Sequence, residues 1–187
     1  MRPESRVVAY VQQITVAWGL FAYVTFVPRR RGTLEGLLGR RWQTWRQAAA
    51  DLALAAIGWR LLAVSELGWA TVFQSAVPTS VDAMLPHGPL EQVVWVVLSV
   101  SVALSEEVVF RGYLATQLTG FTGRVGVANL LQAALFGLAH AEQGSGAVVR
   151  LAAYGWAFGA LARWRRGLSA GIVCHAWTNL ASGLLRS

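Results

Sequence analysis

The sequence predicts an all-α fold, a polytopic bundle of about six transmembrane helices that forms one membrane-embedded domain over residues 1–187. Hydrophobic residues make up 55% of the chain and charged residues 13%, about half the charged share that is typical of soluble domains. The apolar residues gather into blocks that approach the roughly 20 residues a helix needs to cross a bilayer. Arginines concentrate in the connectors between these blocks, as they do in the cytoplasmic loops of membrane proteins.

The apolar blocks define the predicted spans in chain order. They cover residues 7–27, 48–73, 90–118, 124–140, 146–163 and 167–185. The first block is too long for a signal-peptide core and no small-residue cleavage site clearly follows it, so we interpret it as a retained span. Gly155 and Gly159, four residues apart in YGWAFGA, favour close packing between helices. No connector is long enough to hold a second domain.

The placement of positive charge predicts the orientation in the membrane. The formal net charge is +7, and the basic residues number 16, all of them arginines. The positive-inside pattern places the connectors near 29–46, 119–124 and 163–167 in the cytoplasm, with both termini and the loops near 74–89 and 141–145 outside. A nucleic-acid-binding protein would present its arginines on a folded polar face. This chain has little such face, so we expect no nucleic-acid partner.

Three polar clusters interrupt the predicted spans. They are Glu106, Glu107 and Arg111 in SEEVVFRG, Phe136 and His140 in LFGLAH, and His175 and Asn179 in CHAWTN. An ionisable side chain at membrane depth costs about 2.5 to 3.5 kcal/mol on insertion scales, so each one needs a partner or a function. Glu107 and Arg111 are four residues apart and are predicted to form a buried ion pair on one helix face. Glu106, about one-third of a turn around the helix, does not stack on Arg111 and could face a different cavity, so we interpret it as the free carboxylate.

The depths of these clusters favour a common site. Glu106 lies about 13 residues before the turn near 119–124 and His140 about 16 residues after it, so they are about 20 and 24 Å from that turn. A carboxylate and an imidazole at one depth can hold a water molecule for general-base hydrolysis. His175 and Asn179, about 12 and 18 Å from the next cytoplasmic turn, are somewhat shallower. Water would reach the site through a polar cavity bounded by spans three, four and six.

With these motifs the sequence resembles the CPBP family of intramembrane proteases, which contains type II CAAX prenyl endopeptidases and bacteriocin-processing enzymes. The family pattern is E-E-x-x-x-R, then F-x-x-x-H, then H-x-x-x-N on successive membrane helices. All three motifs occur here in that order, within a catalytic core at residues 90–185. The first two predicted spans carry no part of the pattern.

The resemblance implies a glutamate-type intramembrane endopeptidase with no cofactor and no metal. Glu106 and His140 would activate the attacking water, and His175 and Asn179 would stabilise the oxyanion of the tetrahedral intermediate. The other motif residues would support the site; they are Glu107, Arg111 and Phe136.

The predicted topology indicates from which face of the membrane the substrate reaches the site. His140 lies near the outer end of its predicted span, which suggests access from outside, whereas a prenylated C-a-a-X substrate would require cytoplasmic access. Some compact bacterial relatives are sorting proteases that act on C-terminal membrane tails of exported proteins. An arginine-rich, lysine-free chain suits such an enzyme of a bacterial inner membrane. We therefore expect the lipid bilayer and a protein or peptide with a membrane-associated C-terminal tail as partners.

The sequence leaves three other functions open. Two histidines and a glutamate provide enough ligands for a zinc-dependent protease, although the H-E-x-x-H motif is absent. A non-enzymatic membrane protein, such as a bacteriocin-immunity factor or a scaffold, is an alternative because relatives have been linked to self-protection. A proton or ion carrier also uses chains of carboxylates and histidines, but transporters usually contain internal repeats and this chain shows none.

Overall fold

The computed structural model describes residues 3–29, 34–40, 42–73 and 79–185. These ranges are almost wholly helical and contain no β-strand beyond an isolated bridge between Gly39 and Gly167. The predicted all-α fold is confirmed. Parts of the predicted connectors at 29–46 and 74–89 lie outside the described residues.

The helices follow one another with short connections. In chain order they are α1 (Pro3–Arg29), α2 (Leu34–Leu38), α3 (Trp45–Phe73), α4 (Thr79–Asp82), α5 (Pro89–Glu106), a π-helical segment (Glu107–Leu114), α6 (Ala115–Thr122), α7 (Val125–Leu138), a 3₁₀ turn (Ala141–Gln143), α8 (Ser145–Arg165) and α9 (Ser169–Leu184). α5, the π segment and α6 run without a break. Each predicted span therefore coincides with one helical unit.

Three stretches in the described part of the chain are long and apolar enough to cross a membrane. They are Arg6–Phe26, Trp45–Thr71 and Pro89–Thr122. α7 is apolar but has only 14 residues, which corresponds to about 21 Å of helix rise. The chain is a multi-pass membrane protein, and many large apolar side chains on α1, α3 and α5 are exposed, as expected for surfaces that face lipid.

The bundle is organised around α5 and α9. α5 packs against α1 on one side and α9 on another, α9 also contacts α3, and α7 pairs with α8. The predicted close packing at Gly155 and Gly159 is confirmed, because an added Cβ at Gly159 would lie 1.8 Å from Asn129 Oδ1 and one at Gly155 would lie 3.2 Å from Ala133 Cα. Substitution at either glycine would separate α8 from α7.

Ion pairs join helices that are distant in sequence. Arg165 Nε lies 2.6 Å from Asp51 Oδ1, and Arg150 Nη1 lies 2.9 Å from Glu66 Oε2, so both pairs link α8 to α3. Tyr154 donates a hydrogen bond to the same Glu66 carboxylate. These polar contacts hold α3 and α8 in a fixed relation, which is how polar groups between membrane helices stabilise a bundle.

A π-helical segment lies in the third span and contains Glu107 and Arg111. The segment covers Glu107–Leu114. Such segments, with i→i+5 hydrogen bonds, are rare in proteins overall, but those that occur are often at functional sites. Gly112 within it allows close approach to α2, because a Cβ there would lie 2.9 Å from the Leu37 carbonyl oxygen. Glu107 and Arg111 of this segment are both buried in the bundle.

Candidate active site

The two glutamates stand at the junction of α5 and the π segment. Glu107 is fully buried, and its Oε1 lies 3.2 Å from Arg111 Nη1, where neither side chain is exposed to solvent. The predicted buried ion pair is confirmed. Glu106 is half-buried, and its Oε2 has no hydrogen-bond partner within the described residues. It is the carboxylate with a free acceptor, as predicted.

Arg111 is enclosed by aromatic rings. Its guanidinium carbon lies 4.2 Å from the ring centre of Phe136, 5.4 Å from that of Phe158 and 5.9 Å from that of Phe110. None of its guanidinium nitrogens has a hydrogen-bond partner among the described residues. The charge is therefore balanced by the Glu107 carboxylate and by ring faces, whose attraction for a cation increases when water is excluded.

His175 on α9 forms a hydrogen bond with Glu107 through one ring nitrogen and approaches Glu106 with the other. Nδ1 lies 3.1 Å from Glu107 Oε1, and Nε2 lies 3.7 Å from Glu106 Oε2. Because a carboxylate only accepts, Nδ1 carries the proton of the shorter contact. Glu106 does not pair with Arg111, as expected, but its carboxylate faces the same imidazole as Glu107 rather than a separate cavity. Both carboxylates face one imidazole at the junction between α5 and the π segment.

His140 lies just beyond the end of α7 rather than within the helix. α7 ends at Leu138, and His140 has φ −113° and ψ 24° before the 3₁₀ turn. The predicted span 124–140 is too long at this end, since the chain must reverse before α8 begins at Ser145. His140 Nδ1 donates a 2.8 Å hydrogen bond to the carbonyl of Phe136. In the neutral ring Nε2 is then an unprotonated acceptor.

Phe136 connects the two histidines. Its ring centre lies 4.8 Å from that of His140 and 6.3 Å from that of His175. No hydrogen bond or ion pair of the described residues joins His140 directly to Glu106. The structure thus joins His175 to both glutamates and places His140 at the margin, linked to His175 through the Phe136 ring.

Asn179 follows His175 by one helical turn on α9. Its side chain is half-buried, and its backbone carbonyl accepts a 3.0 Å hydrogen bond from Trp95 Nε1. Gly183 makes room for that indole, because a Cβ there would lie 2.2 Å from Trp95 Nε1. This contact fixes α9 against α5 at the depth of the site. No hydrogen bond in the described structure joins the Asn179 amide to His175 or Glu106.

Phe158 on α8 is a site neighbour that the sequence did not indicate. Its ring stacks on His175 with centres 5.6 Å apart and planes inclined by 15°. A phenylalanine in an apolar helix ordinarily fills the core, so its identity alone carries no functional signal. The flanking Gly155 and Gly159 mark α8 as a closely packed helix and are the one hint in the sequence.

A cavity of about 330 Å³ opens at the arginine-rich end of the bundle. It is lined by α2, the π segment, α6, α7 and α8, and its polar lining includes Arg111, Asn129, Arg163 and Arg166. The predicted polar cavity was expected to reach the catalytic residues. None of Glu106, His140, His175 and Asn179 lines this cavity.

The described residues do not form a metal centre. Among them, no group of three or more histidine, cysteine, aspartate or glutamate side chains has the arrangement needed to hold a metal ion. His175 contacts two glutamates instead, and His140 binds a backbone carbonyl through Nδ1. These side chains therefore do not fit the ligand set that a zinc-dependent protease requires.

The fold and its apolar helices define a multi-pass membrane protein, and comparison with known proteins gives its class. A family model described as type II CAAX prenyl endopeptidase Rce1-like matches residues 88–181, half of the chain and all of the motif residues. The chain belongs to this family, and it is a membrane-embedded endopeptidase, a hydrolase of peptide bonds. Searches of curated proteins and of solved structures give no significant match. The resemblance stated from the three motifs is confirmed.

Proposed function

We propose that the protein is a glutamate-dependent intramembrane endopeptidase in which Glu106 and His140 activate water and His175 and Asn179 stabilise the oxyanion. The observation that supports this most is the contact of His175 with two carboxylates, at 3.1 and 3.7 Å, inside an apolar bundle. Such a desolvated cluster is costly in a membrane and marks a functional site.

Water activation requires proton-accepting atoms that do not already accept a hydrogen bond from another group. Glu106 Oε2 is buried without a hydrogen-bond partner among the described residues, and His140 Nε2 is the acceptor nitrogen when Nδ1 donates to Phe136. A water held between them loses a proton to Glu106 as its oxygen attacks the substrate carbonyl carbon. Glu106 then returns that proton to the leaving amine, so the C–N bond breaks and two termini form.

Oxyanion stabilisation requires donors aimed at the developing charge. The Nδ1–H of His175 is held by Glu107, which orients the ring, and its Nε2–H serves as a donor when the imidazole is protonated. The charges of Glu106, Glu107, Arg111 and a protonated His175 then sum to zero. The Asn179 amide provides the second donor, and removal of one such donor typically costs two to three orders of magnitude in rate.

We infer that the substrate is a protein with a membrane-associated C-terminal tail that reaches the site from outside a bacterial inner membrane. His140 lies at the end of α7 opposite Val125, away from the arginine-rich loops that the positive-inside rule assigns to the cytoplasm. The arginine-end cavity is lined by Arg111 but by none of the four proposed catalytic residues, so it gives no support to a cytoplasmic route. Both termini are then outside the cytoplasm.

The side of access is tested by labelling. A His140→Cys variant in a Cys174→Ala background should react with an impermeant maleimide added outside intact spheroplasts, because position 140 is partly exposed in the outer turn. Arg163→Cys, on the exposed arginine end, is the matched control and should react only in inside-out vesicles. Labelling of position 140 solely from the cytoplasmic side would overturn the inferred orientation.

The chemistry is tested by cleavage in proteoliposomes. The purified protein should cut a peptide with an apolar C-terminal segment at the same rate, within about twofold, with or without a strong chelator, because the proposed water activation uses only side chains. A zinc-dependent protease loses activity when its metal is removed. Loss of cleavage on chelation, with recovery on adding zinc, would replace the proposed mechanism with a metal-dependent one.

A further inference from the structure

We propose that Phe158 is a positioning residue that fixes the plane of the His175 ring, so that α8 forms a wall of the active site although it carries none of the three motifs. The inference rests on the proposed role of His175 and extends it. Phe158 and His175 are both buried, with 6% and 8% of their surfaces exposed, so the contact between them is an interior one.

The carboxylates fix where the two ring nitrogens of His175 lie, but they do not fix the rotation of the ring about the line through those nitrogens. Glu107 and Glu106 lie 3.1 and 3.7 Å from Nδ1 and Nε2, so they act along the ring edge. Rotation about the line through those nitrogens changes these distances little. The nearly parallel ring of Phe158, inclined by 15°, blocks that rotation. Phe136 packs edge-on against the same imidazole, at 84°, and limits the ring further.

Close helix packing explains why Phe158 reaches this position. Gly155 and Gly159 let α8 approach α7, and Gly171 does the same on α9. A Cβ at Gly171 would lie 3.1 Å from Glu107 Oε2 and 3.8 Å from Phe158 Cδ1. The small residue at position 171 therefore lets α9 approach both the Glu107 carboxylate and the buried Phe158 ring.

Phe158 also contacts the other partner of Glu107. The guanidinium carbon of Arg111 lies 5.4 Å from the Phe158 ring centre, so one ring packs against both groups that bind this carboxylate. An aliphatic side chain would retain apolar bulk but would lose the flat face that matches the imidazole. An aromatic pair contributes beyond its buried area, and misplacement of a catalytic group by about 1 Å can cost a hundredfold in rate.

The test separates positioning from substrate binding. Phe158→Leu should lower kcat about ten- to hundredfold with KM unchanged within about twofold, because the lost contact orients a group used in the transition state. Phe158→Tyr retains the ring and should keep at least about half of the wild-type kcat. Trp156→Leu, an aromatic-to-leucine change at an exposed position of the same helix, is the matched control and should leave both constants unchanged.

Phe158→Met is a second variant whose flexible side chain fills irregular gaps, and it should behave as Phe158→Leu does. Wild-type kcat in the leucine or methionine variant overturns the inference, as does a fall in the tyrosine variant equal to that in leucine. So does failure of both aliphatic variants to fold while tyrosine stays active. If Glu106→Gln still cleaves, the proposed function itself fails; if it is inactive while Phe158→Leu is fully active, only the present inference fails.

Discussion

Replacement of Glu106 by glutamine is expected to reduce peptide cleavage by about two to four orders of magnitude while the protein remains folded, since a positioned general base typically contributes that factor. Glutamine has nearly the same shape but cannot take a proton from water. Glu106 does not pair with Arg111, and the contact of its Oε2 with His175 Nε2 is 3.7 Å long, beyond hydrogen-bond distance. The change is therefore expected to cost less stability than removal of the Glu107 carboxylate.

The measurement compares initial rates in proteoliposomes at equal amounts of folded protein, judged by melting temperature in detergent. Glu142→Gln is the matched control, because Glu142 is an exposed carboxylate in the turn that follows His140. This variant should keep the wild-type rate. Cleavage by Glu106→Gln at a rate close to wild type would remove Glu106 from the mechanism and with it the glutamate-dependent interpretation of the site.

The fold could be predicted because each apolar block independently requires a helix. Long apolar blocks separated by arginine-rich connectors require helices wherever lipid is the solvent, since a backbone in hydrocarbon must satisfy its own hydrogen bonds. The Glu107–Arg111 pair was predictable for a similar reason, because a separation of four residues brings side chains together in an α-helix and still does so in the wider π segment.

The relation between the site residues could not be predicted from spacing alone. The π segment at Glu107–Leu114 has no local sequence signature, and the contact of Glu106 and Glu107 with the same imidazole depends on how α9 packs against α5. The early end of α7 at Leu138 depends on where α8 must start. His140 therefore reaches the cluster from a turn, and its Nδ1 is fixed by a backbone carbonyl rather than by a carboxylate.

The part played by α8 shows a further limit of motif-based prediction. Motifs identify residues whose chemistry is unusual for their surroundings, such as a glutamate in an apolar run. Phe158 is ordinary for its surroundings, and only the stacking on His175 distinguishes it. The glycines that admit it were predicted to pack closely, but the partner helix and the ring in contact are properties of the assembled bundle.

Glu107→Gln is expected to destabilise the protein by about 3–5 kcal/mol, because it leaves the Arg111 guanidinium buried without a counter-charge. Both side chains of this pair are fully shielded from solvent, and the rings around Arg111 cannot supply a negative charge. The glutamine oxygen can still accept the hydrogen bond from His175 Nδ1, so the loss reports the charge rather than that contact. The loss of stability is measured as the change in resistance to denaturation in detergent.

A second substitution tests whether the lost stability comes from the unpaired charge of Arg111. Adding Arg111→Met to Glu107→Gln removes the uncompensated cation, and replacing both members of a buried pair by less polar groups is often close to neutral. The double variant should therefore recover most of the lost stability. Glu66→Gln, which breaks a partly exposed pair with Arg150, should cost only about 0–1 kcal/mol. Equal losses in all three variants would show that the burial of charge around Arg111 does not govern the stability of the site.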